Sequence, residues 1–178
     1  MKNIIEKIGE YEFNIPTRTN AEGALLWDEA VEQKYNQWLE EVYCKNKELF
    51  TVQKIAIPQV VMDIIDGILA SNPGCDRSNV VLAMVRVYLD RVDGDETLRQ
   101  RVEGFYNKKP YQEQLGNQSG VEKIKIRFMP TGYVEIKAYA NLFDLKPKEV
   151  VENMVYRIAA CFSEEKEIAR ATNSYLAA

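Results

Sequence analysis

Apolar positions along the chain fall into two periods, one of about two residues and one of about three and a half, and they switch at prolines. From Thr51 to Ile57 a short β-prone run stops at Pro58. A helical pattern follows, with Val61, Ile64, Ile65, Ile68 and Leu69 on one face, until Asn72, Pro73 and Gly74 break it. A second helical run then carries Val81, Met84, Val85, Tyr88 and Leu89, with Asp76 in the capping position. The order strand, helix, turn, helix returns later. Val121 to Met129 alternates, with Lys123, Lys125 and Arg127 on one side and Ile124, Ile126 and Phe128 on the other, and Pro130 ends it. One helix follows through Val134, Ile136, Tyr139, Ala140 and Phe143, and after a break at 144–147 a second runs through Val150, Val151, Met154, Val155 and Ile158. No single strand or helix of this length buries its apolar side alone. Each block is therefore expected to be completed by another copy, in this chain or in a second one.

The remaining stretches frame these blocks. Ile4, Ile5 and Ile8 suit a short helix or strand, and Pro16 opens a polar connector. From Ala24 to about Tyr43 the positions Leu26, Ala30, Tyr35, Trp38, Leu39 and Val42 predict an amphipathic helix. Trp27 and Trp38 stand close to three turns apart, as core packing or as a docking surface for self-association. Gly94, Asp95 and Glu96 open a helix with Leu98, Val102, Phe105 and Tyr106, and the polar run NKKPYQEQLGNQSG reads as a linker in which Lys108 and Lys109 form a solvated pair. Ile168, Tyr175 and Leu176 mark a last helical segment. The expected organisation is an acidic helical segment at 1–48, a first strand–helix–helix unit at 49–92, a helix and linker at 93–120, a second unit at 121–160 and a helical tail at 161–178.

Composition narrows the function classes. With 178 residues, 46% of them apolar and 28% charged, the chain is long enough for one substantial core or two small ones. It has no long uncharged apolar run, and Glu6 and Glu10 occupy the place of a signal-peptide core, so a cytoplasmic protein without a membrane partner is expected. Cys44, Cys75 and Cys161 are widely spaced and there is no histidine, so neither a disulfide framework, a metal site nor another cofactor is predicted. The missing histidine also removes the commonest general base, and no glycine-rich phosphate loop or nucleophile elbow is present; a non-enzymatic role is expected. The net charge of −4 is unevenly spread. Over 1–50, six basic residues stand against ten acidic ones, whereas over 120–160 seven basic residues stand against five. Two helix starts invite an anion: Arg77, Ser78 and Asn79 in one first turn, and Lys146 and Lys148 at another, where their charge does nothing for the helix dipole.

The stretch IPQVVMDIIDGILASNPGCDRSNVVLAMVRVYLDR resembles the ribbon–helix–helix domains of the Arc and CopG-like DNA-binding group, most closely at RSNVVLAMVRVYLD. VEKIKIRFMPTGYVEIKAYANLFDLKPKEVVENMVYRI is similar to a second, more divergent copy. The resemblance implies a mainly α protein with short β: tandem ribbon–helix–helix units, each contributing to a two-stranded antiparallel ribbon over interlocked helices, plus the N-terminal helical segment. Ribbon pairing within one chain and pairing between two chains both satisfy it. It also implies a sequence-specific binder of double-stranded DNA, a transcriptional repressor or plasmid maintenance regulator, able to form a homo-oligomer through the units or through the Trp27/Trp38 helix. Lys123, Lys125, Arg127 and Lys54 would read bases, and Arg77, Ser78, Asn79, Lys146 and Lys148 would contact phosphates. The first strand departs from the pattern: with Ile55 and Ile57 inward, Val52, Lys54 and Ala56 face out and Gln53 falls inward, leaving Lys54 as the one strong reader. The alternative is a non-catalytic protein-interaction or structural module that keeps the scaffold without touching DNA.

Overall fold

At the N-terminus alternation wins over helical spacing. Tyr11, Phe13 and Ile15 turn inward between exposed Glu12 and Asn14, so Asn3–Ile8 (β1) and Tyr11–Pro16 (β2) form an antiparallel hairpin with Ile8 opposite Tyr11. Gly9 supplies the positive φ, 60°, that the two-residue turn needs. The computed structural model describes residues 3–16, 18–19, 25–26, 29–117 and 120–178. Arg18–Thr19 (β3) pairs with Leu25–Leu26 (β4), so Leu26 belongs to a strand and the helix of this region is Glu29–Lys45 (α1). Among its described residues the acidic segment is thus two strand pairs followed by a helix. Trp27 lies outside the described residues.

The chain divides into two compact units. The first comprises 1–51 with 127–135. Its core joins Ile8 and Ile15 of the hairpin to Tyr35, Leu39 and Val42 of α1 and to Phe50. Trp38 is packed here, 5.4 Å from the Phe13 ring and 5.8 Å from Tyr35, so its role is that of a core-flanking aromatic. Phe50 meets Tyr43 and Tyr133 edge to face.

The second unit comprises 52–126 with 136–178 and is mostly helical. After Thr51–Ile57 (β5) come Gln59–Ala70 (α2), Arg77–Val87 (α3), a π-turn at Tyr88–Val92, Glu96–Tyr106 (α4) and Lys109–Gly116 (α5). Then follow Glu122–Arg127 (β6), Pro130–Phe143 (α6), Pro147–Cys161 (α7) and Lys166–Ala177 (α8), with Arg127 and residues 130–135 counted in the first unit. The helix α5 replaces the expected linker. Pro110 is tolerated in its first turn, and Tyr111 and Leu115, one turn apart, give a polar sequence one half-buried face. The Tyr111 hydroxyl donates to the Tyr156 carbonyl at 2.6 Å, tying α5 to α7.

At the centre of the unit α3 is buried on nearly every side, through Val80, Val81, Ala83, Met84, Val85 and Val87. It packs on α2, α7 and α8, while α4 packs on α7. Val80, Val81, Met84 and Val85 have the same residue types seventy positions on, at Val150, Val151, Met154 and Val155, and Leu98 and Val102 stand seventy positions before Ile168 and Thr172. All twelve are buried. The contacts are crossed, since the helix that follows α3 packs on α7 and the helix that follows α7 packs on α3. The C-terminal segment is therefore part of the core, with Ile168 and Thr172 fully enclosed.

The strands β5 and β6 pair as a two-stranded sheet although more than sixty residues separate them. Phe128 N–H donates to the Phe50 carbonyl at 3.2 Å, joining the residue after β6 to the residue before β5, which is the antiparallel sense. The fold is thus mainly α-helical with small two-stranded sheets.

Candidate nucleic-acid interface

The strand β6 has the two faces its alternation predicts. Ile124 and Ile126 are buried, and Lys123, Lys125 and Arg127 are exposed between them. A strand with isoleucines on one side has no choice of register, because a slip of one residue would bury three cations. The three cations therefore share one outward face.

Their surroundings differ. Arg127 Nη2 lies 2.9 Å from Glu48 Oε1, and its Nε donates to the Thr51 hydroxyl at 3.2 Å. The carboxylate belongs to the 3₁₀ turn at Lys47–Phe50, immediately before β5. Lys125 lends its carbonyl to the Ser78 hydroxyl at 3.5 Å, which brings the first turn of α3 beside β6.

Arg77 makes that junction firm. Its Nε and Nη2 form a bidentate pair with the two oxygens of Asp66, both at 2.9 Å, and Nη1 reaches Glu122 Oε2 at 2.7 Å. The hydrogen bonds it donates to Asp66 hold the guanidinium above its ordinary pKa. A phosphate at this position would have to displace two carboxylates. Asn79 is occupied as well: its N–H donates to Asp76 Oδ1 and its side-chain oxygen accepts from Asp76 N–H, both at 2.8 Å, a reciprocal cap. Lys146 N–H donates to Glu149 Oε2 at 2.7 Å, so the start of α7 already carries a carboxylate, with half-buried Lys148 in its first turn. The five phosphate candidates therefore stand at two helix starts, and acidic side chains serve both.

On β5 the expected alternation fails at one point. Val52 is buried and Gln53 is exposed, the reverse of the sequence reading, while Lys54 is exposed and Ile55 and Ile57 are buried as expected. Two consecutive outward residues, Gln53 and Lys54, change the parity of the strand. The backbone of Ala56 bonds to side chains of α7: its N–H donates to Glu152 Oε1 at 2.7 Å and its carbonyl accepts from the Tyr156 hydroxyl at 2.5 Å. These two residues, one turn apart on α7, satisfy backbone groups of a short edge strand and close it to further pairing. Sequence reasoning missed Glu48, Asp66, Glu152 and Tyr156. Only the positions of Glu152 and Tyr156 at i and i+4 left a trace.

Burial shapes the remaining titratable groups. It pushes the Cys161 thiol up to about 12 and the Tyr35 hydroxyl to about 12, and raises Tyr111 and Tyr156 further. Burial also pushes the Asp90 carboxyl up, but hydrogen bonds from Arg86 and Tyr175 outweigh it and leave Asp90 below its usual range. Among the described residues no group of three or more Asp, Glu, Cys or His side chains is placed to hold a metal ion, and no helix is long and apolar enough to cross a membrane. In comparisons with known proteins, no family model, curated protein or solved structure matches this chain.

Proposed function

We propose that this protein binds duplex DNA sequence-specifically through the β5–β6 ribbon, acting as a repressor or plasmid maintenance regulator by occupancy of its site. Its architecture is read as two tandem ribbon–helix–helix units in one chain. The carrying observation is the outward face of β6, where Lys123, Lys125 and Arg127 stand over buried Ile124 and Ile126. A two-stranded ribbon fits the major groove, and long cations can reach guanine edges or phosphates there. Lys54 adds a fourth exposed cation from β5. The tandem reading draws support from the 70-residue recurrence and from the crossed packing of α4 and α8. In this reading Ser78 flanks the groove from the first turn of α3, and Lys146 and Lys148 approach the backbone from α7. Arg77 serves mainly as a strut, because Asp66 and Glu122 hold it.

A second reading, a non-catalytic interaction module, is favoured by the same ion pairs. Glu48 at Arg127 and Glu122 at Arg77 interrupt the positive face. Selection of duplexes from a random pool separates the two. Enrichment of one sequence is expected, with binding that weakens steeply as salt rises. Each of Lys125→Ala and Arg127→Ala should reduce the salt slope by about 1 or relax preference at one base pair. Failure to enrich any sequence, or unchanged binding by the double variant, would sink the DNA reading and leave the interaction module.

A further inference from the structure

In the second unit Arg77, Arg86, Arg99, Arg101 and Arg157 each hold at least one carboxylate, those of Asp66, Asp90, Glu96, Glu165 and Glu103. Arg91 and Arg170 form no ion pair or side-chain hydrogen bond among the described residues. Both line one hollow of about 590 Å³, which joins Arg91 of the π-turn to the face of α8 that runs from Glu167 through Ala171 and Ser174 to Ala178. Helical turns of the π type are rare and recur at functional sites. The carboxylate next to Arg91 in the chain, Asp90, is already engaged, because Arg86 and the Tyr175 hydroxyl both donate to it.

Glu167 is a third unpaired charge at this hollow. It precedes Arg170 by three positions, the same spacing that joins Glu96 to Arg99, yet it forms no ion pair among the described residues. All three side chains are exposed. Two cations and one carboxylate thus border a recess of small-molecule size without neutralising one another. Charges gathered round one concavity act together on whatever enters it.

We propose that this hollow binds a small zwitterion, a phosphate monoester that also carries an amine. Two guanidinium groups match the nearly two negative charges of such a phosphate, and their planar donor forks suit its oxygens. The phosphate would lie between Arg91 and Arg170, and the ammonium would face Glu167. A bare anion fits less well, because Glu167 repels it, and a nucleic-acid backbone fits less well for the same reason. The site stands at the end of α3 opposite the first turn that Ser78 places beside β6, and it does not rest on DNA binding.

Titration of the full chain with O-phosphoethanolamine, followed by heteronuclear NMR in a phosphate-free buffer of low ionic strength, tests it. Saturable shifts centred on Arg91 and on 167–178 are expected, with inorganic phosphate binding about tenfold more weakly. Arg91→Ala and, separately, Arg170→Ala should each weaken both ligands by about tenfold or more, and Glu167→Gln should erase the preference for the amine-bearing one. The three side chains are exposed and unbonded, so far-UV circular dichroism of each variant should match the wild type. Absence of saturable binding up to about 10 mM, or binding that both arginine variants leave unchanged, overturns the site. Inorganic phosphate binding as tightly as O-phosphoethanolamine would overturn the zwitterion in favour of a simple anion.

Discussion

Glu48 is 71% exposed and Arg127 43%, so their ion pair is a surface contact that the arginine can exchange for another anion. If β6 reads DNA, Glu48 competes with it. Glu48→Gln is therefore expected to tighten duplex binding by about two- to fivefold at low salt, measured by fluorescence anisotropy, because a pair of this kind is worth only a few tenths of a kcal/mol to 1 kcal/mol. No gain would mean that Arg127 stays on Thr51 and takes no part in binding. The cations of β6 were legible as a two-faced strand. The carboxylates held by Arg127 and Arg77 were less so, because Glu48 and Asp66 reach them only through contacts spanning 79 and 11 positions.

Among the elements, α5 shows how composition misleads. Its sequence is polar, but Tyr111 docks on α7, Gln112 donates to the Tyr106 carbonyl of α4, and the helix also packs on α2. Burial raises the Tyr111 pKa above its ordinary 10.0, so the folded state holds the hydroxyl proton more tightly than the unfolded chain does. The stability this contributes is fully present below pH 10 and is lost as pH rises past that value. Tyr111→Phe should cost about 1 kcal/mol at neutral pH for the lost hydrogen bond and flatten the decline above pH 10, as followed by urea denaturation at a series of alkaline pH values. A decline as steep as that of the wild type would assign the alkaline loss to other groups, Tyr156 first. The N-terminal hairpin teaches the converse: three isoleucines fit either period, and the alternation of Tyr11, Phe13 and Ile15 with a turn at Gly9 decided for strands.

For the molecule as a whole, the crossed packing of α4 on α7 and α8 on α3 makes the second unit cooperative across its two halves. Leu98→Ala and Ile168→Ala, at positions 70 apart and both buried, should each cost about 2–5 kcal/mol and shift the same unfolding transition. Two separable transitions, one per half, would show that the halves fold independently. The sequence by itself determined the helices of both strand–helix–helix blocks, the inward face of β6 and its outward cations, since periodicity and proline placement act over a few residues. Only the tertiary structure decided that β5 and β6 pair within the chain, that α4 and α8 pack crosswise on α7 and α3, and that acidic side chains hold Arg77 and Arg127. Those outcomes depend on groups far apart in sequence, and which of them meet is set by packing, not by any local pattern.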